Sequence, residues 1–214
     1  RLRLFERNLH HAQLICAITK ADAQKLSRKY GSASVVHLPC FFDLSFPSSS
    51  VGTNRFVLYQ GNLAVEENHR TALFIIRQIA PRCPDTLFVI AGRNPHLGSV
   101  PRNVEVVGNP TDEHLSLLLR TARIHLMLTF QPTGIKLKLL NALVKGQGHI
   151  IANHDMLYGH SLGRLCIRAD QPTEIADKIH RFIDQEPDAS ELKKRRDTLQ
   201  KIKKAGISRL SLFQ

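Results

Sequence analysis

The stretch RFVLYQGNLAVEENHRTALFIIRQIAPRCPDTLFVIAGRNP, residues 55–95, decides the fold. It contains two continuous apolar runs that each end at a glycine, Phe56–Gln60 and Thr86–Ala91. Between them, apolar residues recur at helical spacing from about Glu66 to Ile79. Apolar strands that alternate with helices are typical of a parallel sheet that is buried on both faces. The stretch therefore predicts a strand–helix–strand unit.

The same alternation continues towards the end of the chain. Further strands are predicted at Val104–Val107, Ile124–Leu128, His149–Ala152 and Leu165–Ile167. Further helices are predicted at 112–121 after a Thr111 cap, at Ile135–Lys145, at Pro172–Gln185 and at Ala189–Lys204. These elements predict the fold class α/β, with a doubly wound, Rossmann-like parallel sheet.

The first 53 residues have a different character. They contain two short predicted strands, Gln13–Ile18 and Val35–Leu38, with a helix between them that Thr19 caps. A segment rich in Ser, Pro and Gly, Asp43–Asn54, reads as a linker. The predicted division of the chain is residues 1–53, a Rossmann-like domain at 54–187 and a basic C-terminal helix at 188–214.

Composition restricts the partners and cofactors of the chain. Its 214 residues carry a formal net charge of +12, which favours an anionic partner such as a nucleotide or an acidic membrane face. Aromatic residues make up only 6% and are not interleaved with basic ones, which disfavours nucleic acid. The four cysteines form no C-x-x-C pair and the histidines no H-E-x-x-H motif, so neither a metal site nor a disulfide framework is predicted. A cytoplasmic protein is expected.

The stretch QPTGIKLKLLNALVKG, residues 131–146, carries the strongest functional signal. It predicts that a strand ends, the chain turns at Gly134 and a helix begins at Ile135. Unpaired amide N–H groups at such a helix start, beside Lys136, are suited to hold a phosphate or diphosphate. An ordinary amphipathic helix, with leucines facing the core and lysines facing water, is an open alternative. The ends of other predicted strands complete the rim of this site, at Gly61, Gly92 and Gly108.

Several segments in this order resemble the family 4 retaining glycosyltransferases. LYQGNLAVEENHR is similar to the motif G-R-L-x-x-E-K-N, LFVIAGRNP to A-G-x-G-P, and GIKLKLLNALVKG to G-I-K-x-K-x-L-E-A-x-A-x-G. The resemblance implies the C-terminal, donor-binding half of a GT-B fold, with residues 1–53 as the tail of an N-terminal domain that is otherwise missing. It also implies a nucleotide-sugar donor, a glycan or lipid-linked acceptor, a role in polysaccharide biosynthesis, and no metal or cofactor.

The charged positions of the family pattern are replaced in this chain. Its two glutamates fall on Thr133 and Asn141, and the arginine and lysine that neutralise the donor diphosphate fall on Asn62 and Glu67. Glu67 reverses the charge expected beside a diphosphate. The sequence therefore predicts that Glu67 points away, that a neighbouring cation compensates, or that the donor is not a nucleoside diphosphate.

The resemblance assigns individual roles in the site. The predicted catalytic residues are Thr133 and Lys136. The predicted donor-binding residues are Gly61, Asn62, Gly92, Arg93, Gly108, Asn109, Gly134, Ile135, Lys138 and Asn141. Lys136, Lys138 and Arg93 are the cations available to compensate Glu67.

Two further functions remain as alternatives. The four replacements are compatible with a non-catalytic relative that keeps the fold and binds a ligand. The segment GHSLG, residues 159–163, matches the G-x-S-x-G motif of α/β-hydrolases, with Ser161 as the nucleophile and only His180 after it as a base. The basic C-terminal helix is solvated, a peripheral contact with the inner face of an acidic membrane, or a surface that binds nucleic acid.

Overall fold

The computed structural model describes residues 8–31, 35–38, 44, 46, 53–132, 136–159 and 162–210. The chain divides into two compact units, one of residues 1–44, 133–135 and 197–214, the other of residues 45–132 and 136–196. The strands are β1 (Ile15–Ala17), β2 (Val35–His37), β3 (Asn54–Asn62), β4 (Leu87–Arg93), β5 (Val104–Gly108), β6 (Ala122–Met127), β7 (His149–Ala152) and β8 (Ile167–Arg168).

The helices alternate with these strands. They are α1 (Lys20–Tyr30), α2 (Glu66–Phe74), α3 (Asp112–Thr121), α4 (Leu137–Lys145), α5 (His154–Leu157), α6 (Pro172–Phe182) and α7 (Ala189–Leu210). Helix α2 continues as a π-helical turn at Ile75–Ile79 and a 3₁₀ turn at Ala80–Arg82. Within the described residues, no helix is both long and apolar enough to cross a membrane.

The second unit is built on a six-stranded parallel sheet with the order β5-β4-β3-β6-β7-β8. Every neighbouring pair is parallel. Alternate residues of β3 face opposite sides of this sheet. Val57 and Tyr59 pack with residues of α2 and α6, whereas Phe56 and Leu58 pack with Leu119 of α3. The predicted doubly wound α/β fold is confirmed, because helices cover both faces of a parallel sheet.

Local sequence signals explain where helices begin and end. Thr19 caps α1 by accepting a hydrogen bond from the amide of Asp22 at 3.0 Å, and Thr111 caps α3 through the amide of His114 at 3.2 Å. Gly31 ends α1 with a φ of 91°, a conformation that favours glycine. The two threonine caps follow the sequence prediction.

The first unit contains a smaller parallel pair. Strands β1 and β2 lie side by side, with Ile15 opposite Val35. Ile15, Ala17, Ala23 and Val35 form its small buried cluster. The linker predicted at residues 43–54 falls mostly outside the described residues.

Candidate functional site

The strand order places a crevice at the carboxyl ends of β3 and β6. From β3 the chain adds β4 and β5 on one side, and then returns to place β6, β7 and β8 on the other. In doubly wound sheets, ligands bind beyond the strand ends at the point where the order reverses. The candidate site therefore lies beyond the ends of β3 and β6.

Lys138 of α4 reaches this edge of the sheet. Its Nζ donates hydrogen bonds to the carbonyl oxygen of Leu128 at 2.9 Å and to Oδ1 of Asn68 at 3.2 Å, and lies 3.4 Å from the hydroxyl of Tyr59. The same Nζ lies 5.1 Å from the centre of the Tyr59 ring. Tyr59 is 1% exposed, and its hydroxyl donates to the carbonyl oxygen of Asn68 at 3.2 Å. A cation is thus held against a buried aromatic ring at the reversal point.

Glu67, in the first turn of α2, also lies at this edge of the sheet. Its Oε1 accepts a short hydrogen bond from the hydroxyl of Thr129, which lies two residues beyond β6. Asn153 fixes that loop from the other side, since its Nδ2 donates to the Thr129 carbonyl at 2.7 Å and its Oδ1 accepts from the Thr129 amide at 3.2 Å. Lys136 completes the group, and its Nζ donates to the carbonyl oxygen of Gln131. We call Glu67, Lys136 and Lys138 the lysine–glutamate cluster.

Burial controls the charges of this cluster. It lowers the pKa of Lys138 to about 8, an effect that Glu67 opposes and Lys136 reinforces. It also lowers the pKa of Lys136, against the opposing attraction of Glu67 and Asp155. Two lysines and one glutamate leave a net charge of about +1 when all three are ionised. Glu67 therefore has two nearby cations, which is one of the outcomes that the sequence allowed.

The start of α4 differs from the prediction. The helix begins at Leu137, and Lys136 precedes it with non-helical angles, φ −97° and ψ 70°. The alternative in which both lysines face water is wrong, because Lys136 is only 9% exposed and Lys138 is partly buried against Tyr59. Thr133, Gly134 and Ile135, the other predicted residues of this helix start, lie outside the described residues.

Three predicted glycines form one row across the sheet. Gly61 of β3 pairs with Gly92 of β4, which pairs with Gly108 of β5. A Cβ atom at Gly92 would lie 1.9 Å from the carbonyl oxygen of Gly61, and one at Gly108 would lie 2.9 Å from Cγ of Pro95. Internal packing thus accounts for glycine at both positions, independently of any ligand. The row lies at the end of its strands, as the sequence predicted.

The remaining predicted donor-binding residues that the structure describes are Asn62, Arg93, Asn109 and Asn141. Asn62 accepts from the Ala64 amide through its Oδ1 at 3.1 Å, so its side chain stabilises the turn after β3. Asn109 has a φ of 49°, and its Oδ1 accepts from the Asn94 amide at 3.1 Å. Arg93 and Asn141 have exposed side chains.

The sequence did not single out Tyr59, Asn68, Thr129 or Asn153 as site residues. Thr129 bonds to Glu67, which lies 62 positions away in the sequence. Lys138 bonds to Asn68 and Tyr59, which lie 70 and 79 positions away. Only the topology brings these side chains together. The one usable signal was the parallel-sheet prediction, because it implies that side chains just beyond neighbouring strands meet at one edge.

The GHSLG segment lacks the surroundings of a nucleophile elbow. Helix α5 ends at Leu157, two residues before the segment, where that motif requires a strand. A 3₁₀ turn at Gly163–Leu165 follows, where the motif requires a helix. Ser161 itself lies outside the described residues, and His180 is exposed on α6. Elsewhere in the described chain, no three His, Cys, Asp or Glu side chains are grouped to hold a metal ion.

Comparison with known proteins gives structural neighbours only. No family model and no curated sequence matches the chain. One neighbour is a mutant of TarM from S. aureus, whose structure was solved in complex with fondaparinux, α-GlcNAc-glycerol and UDP. The similarity covers 94% of this chain and 44% of the TarM chain, with 12% sequence identity and a TM-score of 0.66. A second neighbour is a trehalose-6-phosphate synthase studied for glycosyl transfer with retention. The similarity covers 96% of this chain and 61% of the synthase chain, with 10% sequence identity and a TM-score of 0.65.

A third neighbour is AviGT4, a glycosyltransferase of avilamycin A biosynthesis. It is similar over 92% of this chain and 62% of its own, with 14% identity and a TM-score of 0.60. The chain thus spans about half the length of these structures. At such low identity the likeness concerns architecture. The chain has the α/β, Rossmann-like fold found in GT-B glycosyltransferases.

Proposed function

We propose that the chain is the donor-binding half of a family 4-like retaining glycosyltransferase. In this proposal it binds a nucleotide sugar, and the sugar is transferred to a glycan or lipid-linked acceptor held by a preceding domain. The observation that carries the proposal is the lysine–glutamate cluster at the reversal point between β3 and β6. That is where doubly wound sheets bind ligands.

The chemistry of the transfer explains why cations belong there. The bond between the sugar and the donor diphosphate breaks, and negative charge develops on the departing diphosphate. A fixed, partly buried cation stabilises that charge more strongly than a solvated one. In the proposal, Lys136 and Lys138 take this part in place of the arginine and lysine of the family pattern. The amides of Gly134 and Ile135 and the hydroxyl of Thr133 complete the contact with phosphate and sugar.

The other contacts are assigned to the edge of the sheet. The exposed amide of Asn141 on α4 both donates and accepts, which suits ribose hydroxyls. The ends of β3, β4 and β5 are assigned to the rest of the donor. These contacts involve Gly61, Asn62, Gly92, Arg93, Gly108 and Asn109. No metal ion or cofactor enters the proposal.

A non-catalytic binding protein with this fold is the second candidate. It is favoured by the carbonyl oxygens of Gln131 and Leu128, which already accept hydrogen bonds from Lys136 and Lys138. Glu67 further reduces the charge of the cluster. Such a protein would bind a nucleotide or nucleotide sugar without cleaving it.

Binding and turnover distinguish these candidates. Nucleoside diphosphates and nucleotide sugars are titrated calorimetrically against the wild type, Lys138→Met and the control Lys145→Met, which alters the other end of α4. Losing one charge-assisted hydrogen bond should weaken binding about tenfold or more in Lys138→Met and little in the control. Sugar release or transfer by the full-length protein, followed by mass spectrometry, would support the transferase. Binding without turnover would support the non-catalytic candidate, and absence of binding would reject both.

A further inference from the structure

A second cavity lies at the opposite edge of the sheet. It has a volume of about 250 Å³ and is lined by His149 at the start of β7 and Ile167 at the start of β8. These strands are parallel, so their starts lie at the edge away from the lysine–glutamate cluster. The cavity therefore plays no part in the donor site proposed above.

Cations dominate the charged lining of this cavity. Arg164, Lys194 and Arg195 face a single acidic residue, Glu191, which leaves a net charge of about +2. In the described part of the chain, none of the three cations forms an ion pair with a carboxylate. The cavity thus holds an excess of positive charge.

Arg195 is the most unusual of these residues, since it is only 6% exposed. Its guanidinium donates to the carbonyl oxygens of Gly146 at 3.1 Å and Gly148 at 3.0 Å, both neutral acceptors. Burial lowers the pKa of Arg195, and the nearby Cys166 and Glu191 act in the opposite direction. A buried cation is costly unless an anion accompanies it.

A purely structural role explains only part of this arrangement. Arg195 does join the loop between α4 and β7 to α7, and its two carbonyl bonds serve that purpose. Arg164 and Lys194, however, are exposed side chains that line the same cavity. Like charges that converge without an ion pair repel one another. A bound anion would relieve the repulsion and the burial cost together.

We propose that this cavity binds a small phosphate-bearing molecule, either a free phosphate species or the phosphate of a lipid headgroup. Its volume lies below the roughly 300–1,000 Å³ of pockets that take drug-sized ligands, which restricts the ligand to a small one. Arginine and lysine are the side chains best suited to phosphate. Leu165 and Phe182 give the cavity an apolar wall, which would accept the body of a phosphomonoester.

The test uses inorganic phosphate and phenyl phosphate as soluble probes. Both are titrated against Lys138→Met protein, in which the site at the other edge of the sheet is weakened. In this background, Arg164→Gln and Lys194→Gln are compared with Lys193→Gln, which removes a charge from α7 at an exposed residue outside the cavity lining. Vesicles of phosphatidylcholine with and without phosphatidic acid form the lipid arm.

The proposal predicts saturable binding that weakens about tenfold for each cavity cation removed and changes little in Lys193→Gln. Tight binding of the soluble probes assigns a free phosphate ligand, whereas retention on phosphatidic acid vesicles alone assigns a headgroup. The absence of saturable binding in both arms would overturn the proposal. Equal weakening in Lys193→Gln would overturn it too, because that result would show a general surface field. In proteins that keep Lys138, Arg164→Gln and Lys194→Gln should leave nucleotide binding unchanged, so this test is independent of the proposed function.

Discussion

Replacing Lys138 by methionine should make the stability of the protein less dependent on pH between about 8 and 10.5. Burial lowers the pKa of Lys138 from 10.5 to about 8 in the folded state. Between these two values the unfolded chain holds a proton that the folded chain has lost, so the stability of the wild type rises with pH across this range. The difference between these two pKa values corresponds to about 3 kcal/mol. The methionine variant has no such dependence.

The measurement is urea unfolding of both proteins at a series of pH values from about 7 to 10.5, because the difference between them cancels the titration of all other groups. The stability of wild type should rise by about 3 kcal/mol relative to that of Lys138→Met across the series. Lys145→Met serves as the control and should show a much smaller change. A difference between Lys138→Met and wild type that does not vary with pH would refute the burial of a charged Lys138.

Three other changes test the fold. His125 is fully buried, and burial, reinforced by repulsion from Arg195, lowers its pKa to about 3. The stability of wild type should therefore fall as the pH falls from about 6.5 towards 3. In urea unfolding at about pH 5, wild type should have lost about 2 kcal/mol more stability than His125→Leu. Gly92→Ala places a Cβ atom 1.9 Å from the Gly61 carbonyl oxygen and should lower the free energy of unfolding by about 3 kcal/mol or more. Gly163→Ala is the control, because its Cβ atom would meet nothing closer than 3.9 Å, and it should change stability little in the same assay. Thr111→Ala removes the cap of α3 and should cost about 1 kcal/mol, and an unchanged melting temperature would contradict that role.

The sequence was sufficient for most of the fold because its signals are local. Continuous apolar runs gave the strands of the large sheet, and His149–Ala152 matches β7 in full. The predicted ends of the strands and helices were less accurate. Strand β3 extends through Gly61 and Asn62, beyond the apolar run Phe56–Gln60 that predicted it, because these residues pair with β4. Helix α4 begins at Leu137, two residues after the predicted start, because the backbone angles of Lys136 are not helical.

The candidate site was less accessible from the sequence. Lys136 and Lys138 stood out because two lysines near a helix start are unusual without an anion nearby. Their partners did not, because Tyr59 belongs to an apolar strand and is indistinguishable there from a core residue. Thr129 and Asn153 become visible only when β6 and β7 are placed side by side. No local pattern reports such contacts, which depend on strand order.

The proposed donor site requires that Lys138 faces a bound diphosphate at the reversal point of the sheet. The most direct measurement is the pKa of the Lys138 ammonium group, followed by NMR of ¹⁵N-labelled lysine side chains with and without a saturating nucleoside diphosphate. If Lys138 faces the diphosphate, this pKa should be near 8 in the free protein and should rise clearly towards or above 10.5 in the complex, because the anion compensates the burial of the charge. A nucleoside diphosphate that binds and leaves this pKa unchanged would contradict the placement of Lys138 in the donor site.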